Sequence, residues 1–250
     1  MSRRMRATAI HLAGSSAVAA LAWLLVSFVW YPSPLAELAG GAALFAILVS
    51  VDVVIGPALT AVVASPSKAR TELVRDLSVI LLLQLCAFGY GMYTVAAARP
   101  VAIAFEVDLF RVVTAAEVDV ESLPKAPPSL RQLSWRGPAT LAAVKPANSV
   151  EQLRTIELGL AGIALAALPE HWREYAQESG RAWTAAKPVS TLVAQHANAA
   201  PDVNRIAARA GVPAAELRFL PLLARRAEGV VLVAPPNARV AGVLPFAATP

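Results

Sequence analysis

The chain has 250 residues, 57 % apolar and 16 % charged, with 22 Lys+Arg against 17 Asp+Glu and a net charge of +5. Soluble domains average about 45–50 % apolar and about 25 % charged, so the composition excludes a disordered chain and an ordinary cytosolic globule. The single cysteine, Cys86, excludes an intrachain disulfide and a cysteine-built zinc site.

Charge is unevenly placed: residues 1–100 hold 7 Lys+Arg and 4 Asp+Glu, and residues 101–250 hold 15 and 13. This reads as a membrane part, residues 1–98, followed by an extracytoplasmic domain, residues 99–250. A spanning helix needs about 20 mostly apolar residues. Three stretches qualify: Ala7–Tyr31 and Leu77–Ala98 without a charge, and Leu38–Ala64 with one, Asp52. The first is too long for the apolar core of a signal peptide and ends in Val29-Trp30-Tyr31-Pro32, not in small residues. It reads as an uncleaved anchor, with Trp30 and Tyr31 in the interface belt. Cys86 lies inside the third run and reads as a buried small hydrophobe.

Arg3, Arg4 and Arg6 precede the first span, and Lys68, Arg70 and Arg75 lie between spans two and three. Residues Pro32–Glu37 carry neither Lys nor Arg. The positive-inside rule therefore expects a cytoplasmic N-terminus and a domain on the far side, with Arg99 snorkelling to headgroups. Six of the 22 positive charges thus sit beside apolar spans, where membrane topology explains them. No basic cluster carries interleaved aromatics, so nucleic acid is not expected as a partner.

Pro100 stops the third helix. Val101–Val107 and Phe110–Ala115 read as strands, Leu123–Pro138 as a Pro-rich loop and Thr140–Lys145 as a third strand. Ser149 and Gln152 match a capping box for a helix running to about Gly162. The apolar run Gly159–Leu168 is too short to span and reads as core. Pro169 opens a helix that places Trp172, Tyr175 and Ala176 on one face. Pro201–Ala210 is a further helix ended by Gly211. Leu217–Leu223, Gly229–Ala234 and Val240–Phe246 read as closing strands, the last two joined by a Pro235-Pro236-Asn237 turn. The expected architecture is three transmembrane helices followed by an α+β domain.

No phosphate-binding, zinc-protease, nucleophile-elbow or dinucleotide motif occurs. No cofactor or metal is expected. His171 with Glu170 and Glu174 reads as a solvated polar face. Gly89-Tyr90-Gly91 in the third span reads as a helix-packing motif. Asp52 is the residue that needs a reason, because a charge at mid-bilayer costs about 2.5–3.5 kcal/mol by insertion scales. It can hold spans two and three together as a hydrogen-bonded acid, meet a partner helix, or serve proton or ion transfer. Counting from the span ends sets Asp52 level with Tyr90, with Gln84 about 7–9 Å deeper. Gly56-Pro57 should kink the second span and free a backbone carbonyl.

Two strings carry a family resemblance: D-x-x-x-G-P at Asp52, Gly56 and Pro57, and Y-G-x-Y-T-x-x-x-A-R-P from Tyr90 and Gly91 to Arg99 and Pro100. With Leu83-Gln84-Leu85 between them, residues 45–115 resemble the TfpX/TfpZ family of type IV pilin accessory proteins, also described as FimB-like fimbrial assembly proteins. The resemblance implies a bacterial inner-membrane protein with a periplasmic domain. Its implied role is non-enzymatic: assisting or modulating pilus assembly by contact with the type IV pilin, alongside other assembly components and membrane lipids. It marks Asp52, Gly56, Pro57, Gln84, Gly89, Tyr90, Gly91, Arg99 and Pro100 as candidate contact or structural residues. The alternative is a membrane-anchored envelope enzyme acting on pilin or glycan through a site invisible in the sequence.

Overall fold

The structure is a computed structural model and describes residues 3–65 and 68–248. The first apolar helix joins α1 (Arg3–Leu25) to a π-helical turn over Val26–Trp30. A link containing the short α2 (Leu35–Leu38) leads to the second, which joins α3 (Gly41–Ser50), a π-helical turn over Val51–Ile55 and α4 (Gly56–Val63). The third is α5 (Arg70–Ala97). The three are long and apolar enough to cross a membrane, over Arg4–Trp30, Gly41–Val63 and Arg70–Ala97.

The second helix lies between the other two. Buried Gly41, Phe45, Leu48, Asp52, Gly56 and Thr60 recur every three or four positions and form one face, with Pro57 buried beside Gly56. The outward side chains are apolar, among them Phe28, Ile47, Val54, Val62, Leu82 and Leu83. Cys86 is exposed too. An apolar run in a spanning helix is shielded by lipid, so its cysteine need not face protein.

The third helix begins seven residues earlier than the apolar pattern implies, because Glu72, Arg75 and Asp76 lie on its first two turns. Lys68 holds Asp76 across that entry at 2.8 Å.

The domain is a mixed eight-stranded sheet. Its strands are β1 (Pro100–Glu106), β2 (Leu109–Thr114), β3 (Ala139–Ala143), β4 (Trp172–Glu174), β5 (Lys187–Pro188), β6 (Arg218–Leu223), β7 (Glu228–Ala234) and β8 (Arg239–Leu244). Their order is β4-β3-β1-β2-β6-β7-β8, with β5 on the end of β6. Helices α6 (Ser149–Leu160), α7 (Tyr175–Ala185), α8 (Val189–Gln195) and α9 (Ala200–Ala210) lie around it. Both faces are buried, which is why β1 and β7 read as continuous apolar runs. Ile103, Phe105, Val231 and Val233 share one core with Trp30, Tyr31, Leu35, Leu38 and Phe45. Ala102, Ala104 and Leu141 face Trp172 and Leu165 on the other side, and Val230 and Leu232 face Leu192, Val203 and Ala207.

Membrane helices and domain are therefore one packed body at this end. The Leu38 carbonyl accepts from the Arg226 and Ala227 amides, and the Val29 carbonyl accepts from the Gly137 amide at 2.7 Å. Tyr31 is fully buried and its hydroxyl donates to the Val95 carbonyl at 2.9 Å, so it is not an interface-belt residue. Arg99 does not snorkel. It is 6 % exposed, stacks on Trp135 at 3.7 Å, and donates to the Ala96 carbonyl at 2.7 Å and the Ser134 carbonyl at 3.3 Å. A cation over the last carbonyls of α5 complements the helix dipole, and the aromatic face stands in for water.

Three local expectations are corrected. The cap of α6 is Asn148, which accepts from the Val150 amide, while Gln152 turns back to the Pro146 carbonyl. Trp172 lies on the edge strand β4 and not on a helix face; its indole N–H donates to the Ala166 carbonyl and fixes it beneath the sheet. Within Gly159–Leu168 only residues 165–168 are buried, and Leu160 is 86 % exposed. The closing hairpin stands as expected, with Asn237 and Ala238 at positive φ in its turn.

Candidate functional site

The first and third helices both pack on the second but stand apart from each other along the half remote from the domain. Between them runs a groove of about 580 Å³. Its walls are apolar: Ile10, Gly14 and Val18 on α1, and Leu77, Leu81, Leu85 and Phe88 on α5. Its floor is polar: His11, Ser15, Asp52, Thr60 and Gln84.

The floor follows from Gly56 and Pro57. The Gly56 amide reaches five residues back to the Val51 carbonyl, the bond of a π-helical turn. Pro57 has no N–H to continue that register, so the Asp52 carbonyl loses its helical donor. The Gln84 amide of α5 donates to it instead, at 3.3 Å. It fits there only because position 56 has no side chain, since a Cβ would run into the Gln84 amide. The freed carbonyl is thus present as expected, and the π-turn marks its place. Asp52 itself is 7 % exposed, and one of its carboxyl oxygens and the Gln84 side-chain oxygen have no hydrogen-bond partner. Beyond it, His11 and Thr60 share a hydrogen bond of 2.6 Å.

Gln84, not Tyr90, is thus level with Asp52, because the early start of α5 shifts the register by about two turns. Tyr90 is 74 % exposed and faces away. The glycines divide likewise. A Cβ at Gly91 would run into Leu48, so Gly91 lets spans two and three approach, whereas nothing lies near a Cβ at Gly89. Arg99 and Pro100 belong to the junction with the domain. His11, Ser15 and Thr60 were not singled out by the sequence reading. The signal was there in the four-residue spacing of His11 and Ser15, matched by Asp52, Gly56 and Thr60 on the facing helix.

A family model described as fimbrial assembly protein FimB matches residues 1–40. The serogroup I fimbrial assembly protein of Dichelobacter nodosus is 36 % identical over 218 residues, covering 87 % of this chain and 85 % of its own. The chain belongs to the fimbrial assembly protein family. The serogroup E1 protein of the same organism is 35 % identical over the same shares, and the serogroups C1 and C2 protein is 42 % identical over 47 % of this chain and 89 % of its own. No solved structure matches.

Away from the three long helices, the chain carries a second surface. β1 and β3 run parallel from the helix ends, so their far ends, Glu106 and Ala143, lie about 20 Å out at 3.3 Å per residue. There α6 has no buried residue. Val150, Leu153, Ile156 and Leu160 are 59–86 % exposed along it. Beside it lies a polar cavity containing Lys125, Arg154, Glu170 and His171. His171 is 8 % exposed, so it is no solvated face. Among the described residues no His/Cys/Asp/Glu group could hold a metal.

Burial pulls the His171 pKa below its usual value, and the Lys125 bond at 2.6 Å holds the Glu170 carboxyl low. Both are acid-labile. Below about pH 6.5 the unfolded chain takes up the histidine proton that the folded chain resists. The Glu170 contribution is full above the usual carboxylate pKa and is lost lower still, as pH falls through its depressed value. The melting temperature of the full-length protein in detergent is expected to fall as pH drops below that point. His171→Gln should flatten the upper part of the fall, and an unchanged profile would contradict it.

Proposed function

We propose that this protein is a non-enzymatic helper of type IV pilus assembly that contacts the pilin subunit from the bacterial inner membrane, with its sheet domain in the periplasm. Family membership across both the membrane part and the domain carries the reading, since fimbrial assembly proteins match 87 % of the chain. A membrane-anchored subunit with an apolar helix and a soluble head presents two surfaces, and this chain offers a match for each. Its membrane part has a groove with a polar floor. Its domain has the α6 face, set too far out to rest in lipid and apolar enough to dock protein. Two modest contacts on one chain reinforce each other through effective concentration.

Site-specific photo-crosslinking from Val53, Tyr90 and Leu153, in cells expressing the cognate pilin, tests the partner. Adducts with pilin from Leu153 are expected, and no adduct from any position in a properly folded protein would remove pilin as the direct partner. Orientation is tested separately. A phosphatase fused after Ala115 should be active and one fused between Lys68 and Asp76 inactive, and the reverse pattern would overturn the orientation.

A further inference from the structure

We infer that the groove between the first and third helices is a slot for one further transmembrane helix, and that this helix brings a hydrogen-bond donor to the level of Asp52. The identity of that helix as the pilin's rests on the preceding reading; the slot and the donor rest on the following observations.

The three helices leave one long concavity, open toward lipid, with apolar walls on α1 and α5 and a floor made by Asp52 and Thr60 of the second helix with His11 and Ser15 of α1 and Gln84 of α5. Lipid chains suit the walls but not the floor. Asp52 lines the groove, is more than nine-tenths buried, and has a carboxyl oxygen without a donor. The neighbouring Gln84 side-chain oxygen is also without one, because its amide nitrogen is committed to the Asp52 carbonyl. Two orphaned acceptors at one depth of an apolar slot are complementary to a donor, and a hydrocarbon chain has none. Asp52 is at the middle of the 23-residue second span, about 16 Å from either end at 1.5 Å per residue. A water-borne ligand or a lipid headgroup does not reach that depth. A helix does, and it can hold an amide, hydroxyl or amine there.

Gly14 gives the cleanest test. It lines the groove, and a Cβ on it would meet nothing. Gly14→Leu therefore fills the slot without disturbing internal packing and improves helix propensity. Photo-crosslinkers at Ser15 and Leu81 face the groove, and one at Leu83 faces away from it. With the cognate pilin expressed, pilin adducts are expected from Ser15 and Leu81 and not from Leu83. Gly14→Leu should abolish them at unchanged protein level. Asp52→Ala, smaller and apolar, should accumulate normally yet lower the adduct yield about tenfold, the worth of one well-made hydrogen bond. Asp52→Asn keeps an acceptor and should retain most of the yield.

Pilin adducts from Leu153 but none from Ser15 or Leu81 would overturn the slot and leave the pilin reading standing. Equal yield from Leu83, adducts only with a second copy of this chain, or an unaffected Gly14→Leu variant would also overturn it. Equal yields from Asp52→Ala and the parent would overturn the donor. Absence of pilin adducts from Leu153 as well would instead defeat the pilin reading itself.

Discussion

Gly41→Val is expected to remove most of the folded protein. Gly41 opens the second span directly against the Tyr31 ring, and a Cβ there would overlap the ring edge and come within 2.8 Å of its Cζ. The ring has nowhere to go. Tyr31 is fully buried, and its hydroxyl is tied to the Val95 carbonyl of the third helix. Valine must therefore push against an aromatic anchor in a shared core, at a cost of about 3 kcal/mol, the upper end of what overpacking a core costs. That is a large part of the roughly 5–15 kcal/mol that keeps an ordinary domain folded. Tyr31→Phe keeps the ring and loses only the bond, about 1 kcal/mol. Melting temperatures of both variants in detergent, with steady-state levels, separate the cases. If Gly41→Val melts no lower than Tyr31→Phe, the ring is free to move and the packing argument fails.

The second large effect is expected on function alone. Leu153→Lys combined with Leu160→Lys should nearly eliminate surface pili while protein level and melting temperature stay at parent values. No residue of α6 is buried, so neither leucine holds the fold together. Burial of each against a partner is worth about 2 kcal/mol, and losing both weakens the contact about a thousandfold. Sheared-pilus yield reads the outcome. Normal piliation with this double variant would mean that α6 is not the contact surface of the domain, whereas loss of the protein itself would mean that α6 packs where the structure leaves it open.

The elements buried on two sides were the most legible. Val101–Val107 and Gly229–Ala234 are continuous apolar runs bounded by turn residues, and they became β1 and β7 almost unchanged. Pro235-Pro236-Asn237 announced its hairpin. The errors occurred where two patterns share one spacing. Trp172, Tyr175 and Ala176 suit a helix face, yet the first belongs to a three-residue edge strand whose register is set by β3, far away in sequence. Helix α8 hides in Val189–Gln195, whose β-branched residues suit a strand as well. In the membrane part the number and order of the spans followed from hydropathy, but depth did not. Glu72, Arg75 and Asp76 look like a loop to an apolarity count while the backbone is already helical there. That offset alone moved Gln84 to the level of Asp52. The π-turn has no sequence signature beyond Pro57, and the separation of α1 from α5 that opens the groove is a property of three helices together.

The core shared by the link Tyr31–Leu38 and the sheet bears on the order in which the chain is made. Tyr31, Leu35 and Leu38 emerge early, but Val231, Val233 and the Gly229 backbone that close over them come nearly two hundred residues later. Until then an apolar platform stands uncovered beside the membrane. The converse holds for the domain. A fragment beginning at Arg99 carries Phe105, Val112 and Leu222 with no floor beneath them, so it should be insoluble where the whole chain is well behaved. Membrane insertion is in this sense a folding step of the domain.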